Sequence, residues 1–315
     1  MEHFLYRLNF TTALHIGKDS GGASLDDGQM IIHGDTLFSA LCCEAVRGDR
    51  IDQLVKYFTD GILTISDALP YAGDEIFLPR PALFTEKRKQ TGDIALKKVL
   101  KDKDYIPLSF FRDYLKGMQQ AELHADRLKS ESDFGQLTTF TRVAVKGNTP
   151  PLPYHVAAWR FASDCGLYII VRSEQEEARA TFAVLLAELG LSGIGGKQSS
   201  GWGKFDVQQS PVPDELLKLI EDNQAEYQML LGTALPVDNE LDEVLANGWY
   251  KLIRRGGFIR SEKYAPGQLK KRTMYMLGPG SCLRSRFKGG MFDLSDNGAH
   301  PVWRCGNNLF VGVNT

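Results

Sequence analysis

Several common sources of function are missing from this 315-residue chain. Its formal net charge is only −2, so total charge does not mark it as a nucleic-acid binder. The five cysteines, Cys42, Cys43, Cys165, Cys282 and Cys305, are odd in number and form no CxxC pair. A disulfide framework and a zinc module are both excluded, and free thiols in a reducing compartment fit better. No apolar run approaches the ~20 residues needed to span a bilayer. The first residues, MEHFLYRL, lack a basic region followed by an apolar one, so no signal peptide is expected. A cytoplasmic location follows as the expectation. Neither a short internal repeat nor a low-complexity tract occurs.

What is present argues for a folded α+β protein. Hydrophobic residues make up 43%, enough for a sizeable core, and the length suggests two compact units. Phe4, Tyr6, Leu8 and Phe10 alternate with Leu5, Arg7 and Asn9, which predicts a strand. Asp35 stands before Leu37, Phe38, Leu41 and Ala45, with Gly48 beyond, as an N-cap would before a helix. Ile62 to Ile65 reads as a strand. Residues 85–135 crowd Lys87, Arg88, Lys89, Lys97, Lys98, Lys101 and Lys103 and break the apolar rhythm, as a mobile insertion on the first domain, partly hairpin or helical, would. Leu137 to Val145 and His155 to Phe161 read as strands around the turn 149–153 (TPPLP). Cys165 to Val171 reads as a strand buried on both faces. Ala178, Phe182, Leu185, Leu186 and Leu189 have helical spacing. Beyond residue 226 the chain is β-rich, at Tyr227 to Leu231, Trp249 to Arg254, Thr273 to Leu277 and Leu309 to Val313.

Between the second helix and the strand Phe205 to Gln208 lies GIGGKQSSGWGKF, residues 193–205. Its five glycines permit positive φ and close approach of another backbone, and exposed N–H groups in such a loop form an anion-binding concavity. Two phosphate loops are excluded. A Walker A loop needs Ser or Thr after Gly-Lys, whereas Gln198 follows Lys197. A dinucleotide fingerprint runs strand, loop, helix, whereas this order is helix, loop, strand. No nucleotide cofactor and no metal is expected.

The near-zero charge hides a polarised chain. From Arg254 to Lys288 stand Arg254, Arg255, Arg260, Lys263, Lys270, Lys271, Arg272, Arg284, Arg286 and Lys288, with Glu262 as the one acid. Residues 214–243 are acid-rich.

The glycine run resembles the G-loop of the RAMP (repeat-associated mysterious protein) superfamily of CRISPR proteins. Further pieces, in order along the chain, resemble the Cas5-like, Csm-type subunit of type III-A effector complexes. They are residues 15–17 (HIG), 34–41 (GDTLFSAL), 141–143 (TRV), 256–259 (GGFI), 280–281 (GS) and 301–306 (PVWRCG). The resemblance implies two ferredoxin-like (RRM-type) domains, here 1–150 with the insertion and 151–315 with the G-loop and a β-rich C-terminal extension. It implies a non-catalytic subunit that grips the single-stranded 5′ handle of CRISPR RNA (crRNA). Such a subunit caps the filament of backbone RAMP subunits and docks the large polymerase-like subunit.

Single-stranded RNA is held through phosphates, 2′-hydroxyls and stacking. The residues expected at that interface are His15, Gly17 and Lys18, then Arg142 and Lys146. The glycine run adds Gly195, Gly196, Lys197, Gln198, Ser199, Ser200, Gly201 and Trp202, and the C-terminal cations add Arg254, Arg255, Lys271 and Arg284. Trp202 is open to two readings, a base-stacking ring or a core anchor. His15 is likewise an RNA contact or a structural turn histidine. The competing function is an endoribonuclease that processes CRISPR RNA precursors with a histidine general acid or base, for which His15 is the one suitably placed candidate.

Overall fold

The computed structural model describes residues 2–18, 25–83, 103–120, 124–144, 150–261, 263–267, 269–296 and 298–314. Lys146 and the insertion cations between Lys87 and Lys101 lie outside these.

The first strand, β1 (Glu2–Phe10), is followed by α1 (Gly34–Arg47), α2 (Ile51–Thr59), β2 (Leu63–Ile65), β3 (Leu69–Ala72) and β4 (Glu75–Pro79). Then come β5 (Tyr105–Pro107), α3 (Leu108–Gln120), β6 (Gly135–Ala144), β7 (Leu152–Phe161), β8 (Cys165–Ser173), α4 (Glu176–Ser192) and β9 (Phe205–Ser210). The remainder is α5 (Asp214–Glu221), β10 (Tyr227–Leu230), α6 (Asp238–Leu245), β11 (Leu252–Arg255), β12 (Met274–Leu277), β13 (Cys282–Leu283), β14 (Met291–Asp293), β15 (Trp303–Cys305) and β16 (Phe310–Val313).

The main sheet is antiparallel, in the order β5–β4–β3–β8–β1–β9, with β2 also paired to β8. Helices intervene between β1 and β2 and between β8 and β9. The ordering β9–β1–β8–β2/β3 is therefore the split β-α-β arrangement. This corrects the expected division at residue 150. Strand β8 pairs with β1 from Glu2↔Ser173 to Leu8↔Leu167, and β9 pairs with its other edge from Leu5↔Ser210 to Phe10↔Phe205. Residues 165–210, G-loop included, complete the first sheet instead of opening a second. The C-terminal part has its own three-stranded sheet, β13–β10–β16, and two ribbons, β11–β12 and β14–β15.

Alternation on the two central strands explains the layering. Tyr6, Leu8, Leu167, Ile169 and Val171 pack with α1, α2 and α4 on one face of the sheet. Leu5, Tyr168 and Ile170 pack on the other, with Met229, Val311 and Val313 of the C-terminal sheet. The predicted helix faces hold: Leu37, Phe38, Leu41 and Ala45 of α1, and Ala178, Phe182, Leu185, Leu186 and Leu189 of α4, are all buried. The described part of the insertion holds the helical element expected of it, and that element is packed into the core. Helix α3 buries Phe110, Phe111, Tyr114, Leu115 and Met118 in the second core, and β5 extends the main sheet. Strands β6 and β7 form a separate ten-pair hairpin, tied to the loop after β1 by the Leu14↔Trp159 bridge. Among the described residues no helix is long and apolar enough to cross a membrane.

Candidate nucleic-acid interface

Helix α4 ends at Gly193, whose φ is 88°. Gly195, Lys197, Gly201 and Gly203 also have positive φ, which glycine adopts at little cost. Much of this glycine content serves packing within the protein. The Gly196 N–H donates to the His15 carbonyl at 2.9 Å, and a Cβ at Gly196 would lie 2.5 Å from the His15 ring. A Cβ at Gly195 would meet the His15 carbonyl, and one at Gly203 the Ile194 carbonyl. The loop is thus moulded onto the turn after β1, and this contact aligns two of the expected segments.

His15 is buried, and its ring lies 2.6 Å through Nδ1 from the Ala157 carbonyl of β7. A carbonyl only accepts, so Nδ1 carries a proton, and Nε2 is the ring nitrogen that this contact leaves unengaged. Trp202 is 8% exposed and packs with Ala13, Val156, Ala158 and Phe140. Of its two readings, the structure supports the core anchor. The Arg142 guanidinium covers its ring at 5.1 Å, and Lys197 leans on the next strand of the hairpin, donating to the Tyr154 hydroxyl at 3.1 Å.

Beneath the loop, α1 begins at a buried polar seam between the two parts of the chain. Asp67 Oδ1 accepts the Gly34 N–H at 2.7 Å and the Thr233 N–H at 2.8 Å, while Oδ2 lies 2.6 Å from His33 Nδ1. His33, not Asp35, occupies the N-cap position. Asp35 sits in the first turn, where its carboxylate is buried between Arg255 and Arg304. Arg255 Nη2 donates at 2.9 Å to Oδ1 and also reaches the Thr36 hydroxyl at 2.7 Å. Burial alone would raise the Asp35 pKa, but Arg255 and Arg304 overcome it and hold the carboxyl well below the usual carboxylate range. Lys271 donates to the Ser39 hydroxyl at 3.0 Å, and burial and then Arg304 lower its pKa.

These pieces enclose a cleft of about 650 Å³. Its lining includes His15, Gly17 and Lys18 from the first turn, and Gly195, Gly196, Lys197, Gln198 and Ser199 from the G-loop. The ribbon side adds Arg254, Arg255 and Lys271. Eleven of the expected residues, drawn from three distant segments, therefore share one concavity. Among the described residues, eight cations line it (Lys18, Lys197, Arg254, Arg255, Arg260, Lys270, Lys271 and Arg304) against the single carboxylate of Asp35.

Other expectations are corrected. Arg255 lines the cleft but is committed to a buried ion pair, so it builds the floor. Arg284 lies elsewhere, bonded to Glu226 at 3.2 Å and stacked on Tyr227. Ser200, Gly201 and Trp202 do not line the cleft, and Arg142 belongs to the hairpin that packs on Trp202. The sequence reading missed Arg304 and Phe258 as lining residues. The signal for Arg304 was faint, because a single arginine among apolar neighbours does not announce the acid 269 positions earlier with which it pairs.

The fold has known counterparts. The sequence matches the RAMP superfamily over residues 7–206 and the CRISPR Csm4 C-terminal domain over residues 223–313. The break between the two falls where the main sheet ends. The chain belongs to the RAMP superfamily and, within it, to the Csm4 family. The CRISPR system Cms protein Csm4 of Mycobacterium tuberculosis (strain H37Rv) is 31% identical over 99% of this chain and 98% of its own length. That of Streptococcus thermophilus is 29% identical over 93% of each. Among solved structures, a chain of the Csm3–Csm4 subcomplex of a type III-A interference complex superposes with a TM-score of 0.66. It has 17% identity and covers 99% of this chain and 100% of that one. A chain of a Csm1–Csm4 cassette in complex with cA4 gives 0.62 at 19% identity, over 99% and 98%. At these identities the likeness concerns the fold.

Proposed function

We propose that this chain is a non-catalytic subunit of a type III-A CRISPR interference complex, one that anchors the 5′ handle of crRNA in the basic cleft. The observation that carries the reading is the convergence of three sequence segments on one concavity that, among the described residues, is lined by eight cations and one carboxylate. A single strand offers such a surface a continuous row of phosphates, and neutralising them releases counterions. Family membership supplies the context. The fold relatives were solved with Csm3 or with Csm1, so a backbone RAMP subunit and the large subunit are the proposed protein partners. The C-terminal sheet is read as a reduced second ferredoxin-like unit. Five free cysteines fit a cytoplasmic setting.

The non-catalytic part of the proposal is supported by the state of His15. The ring is 7% exposed and packed against Gly196, so little of it reaches the cleft, although the Ala157 carbonyl at Nδ1 leaves Nε2 unengaged by that contact. The test is reconstitution of the complex with crRNA. Lys197→Ala combined with Lys271→Ala is expected to reduce the RNA retained, most strongly at raised salt, while the isolated chain leaves repeat RNA uncut. Cleavage by the pure protein that His15→Ala abolishes would overturn the non-catalytic reading.

A further inference from the structure

The cleft explains how phosphates are held and leaves open where the bases go. Trp202, the aromatic residue that the sequence places in the loop, is enclosed. Exposed aromatic surface lies instead on and beside the opposite wall, Phe258 in the lining and Tyr275 next to the lining residue Arg254. Phe258, itself a lining residue, is 44% exposed, and Tyr275 on β12 is 61% exposed. Scattered surface aromatics need no explanation, but these are not scattered. Gly256 and Gly257 lead into Phe258, and nothing stands within 4 Å of where a Gly257 Cβ would be. Phe258 is bridged to Lys270, whose ammonium lies 5.5 Å from the ring centroid. Tyr275 is the cross-strand partner of Arg254, so the two side chains share a face of the ribbon. Arg254 and Lys270 both line the cleft. Each exposed ring is therefore beside a cation positioned for phosphate.

Resting on the proposed function, we propose that Phe258 and Tyr275 form a stacking platform for unpaired nucleobases of an RNA strand whose phosphates lie in the cleft. Interleaved cations and aromatic planes are what single-strand binding requires, because each base is one sugar away from its phosphate and every base has a π-face. A duplex does not fit, since its bases already stack on one another. A protein docking on this wall is the competing occupant. The surrounding Arg254, Arg260, Lys270 and Lys271, with no acid among the described residues that line this wall, favour a polyanion.

The experiment uses the full chain in the reconstituted complex and a short single-stranded RNA carrying 2-aminopurine at one position at a time. In the wild type, fluorescence is expected to be quenched at one or two positions. Phe258→Ala and Tyr275→Ala should each relieve that quenching and weaken binding roughly tenfold. The slope of log affinity against log salt should stay unchanged, because no cation is removed. Phe258→Trp should restore both signals. If the alanine variants bind and quench as wild type while Lys197→Ala weakens binding, the platform is wrong and the cleft reading survives. If Lys197→Ala is also without effect, both fail. If the alanine variants keep RNA but lose a protein subunit on purification, the wall is a protein contact and the platform is overturned.

Discussion

The guanidinium of Arg255, on β11, holds the carboxylate of Asp35, in the first turn of α1, across 220 residues of sequence, with Nη2 2.9 Å from Oδ1. Arg304 closes on the same carboxylate from β15. One acid thus joins the two matched parts of the chain at the floor of the cleft, and three buried charged groups depend on each other.

Removing Asp35 leaves two buried arginines without their counter-charge. Asp35→Ala is expected to destabilise the chain by about 3–5 kcal/mol, read as a lowered denaturant midpoint. The pH dependence has a definite sign. The folded pKa is depressed, so the stabilisation is complete above the ordinary value of 3.8 and is lost only as pH falls below it. Wild type minus Asp35→Ala should therefore stay constant through neutral pH and shrink in acid.

The cleft cations and the remote arginine should separate in binding. Lys197→Ala and Lys271→Ala should each lower the magnitude of the salt slope of RNA binding by about 1. Arg284→Ala, which breaks only contacts to Glu226 and Tyr227, should leave it unchanged. A filter-binding series across salt concentrations measures both.

Two glycines of the loop should behave differently. At Gly203 a Cβ would enter the Ile194 backbone, and φ is also positive, so Gly203→Ala should lower Tm sharply, by well over the ~1–3 kcal/mol of backbone strain alone. At Gly201 nothing lies within 4 Å, and only the φ of 78° opposes a side chain. Gly201→Ala should cost about 1 kcal/mol.

Burial pushes the thiols of Cys282 and Cys305 up to about 12 from an ordinary 9.0. Neither should react with an aromatic disulfide reagent at pH 8 until the chain unfolds. Because the folded state keeps these protons longer than the unfolded one, stability should fall as pH rises from about 9 towards 12.

Local features were legible in the sequence because they rest on short-range periodicity. The faces of α1 and α4, the alternation of β1 and the strands on either side of the TPPLP turn are of this kind. The positions of His15, Gly17, Lys18 and the G-loop residues around one cleft were legible through their order along the chain. What failed depends on long-range partners. Charge is visible at Arg255 and Arg284, but whether a cation meets an acid is decided by pairings such as that with Asp35. Trp202 in a glycine run looks presented, yet the hairpin β6–β7 covers it. The boundary at 150 failed for the same reason, since no local pattern says that β8 and β9 return to β1.

That return has a consequence for biosynthesis. Strand β1 lies between β8 and β9, and the second of these begins at Phe205. At about 5–20 residues per second, the ribosome takes roughly 10–40 s after finishing β1 to supply its last neighbour. Throughout that interval β1 lacks at least one hydrogen-bonding neighbour, so the sheet around it closes only once Phe205 to Ser210 has been made.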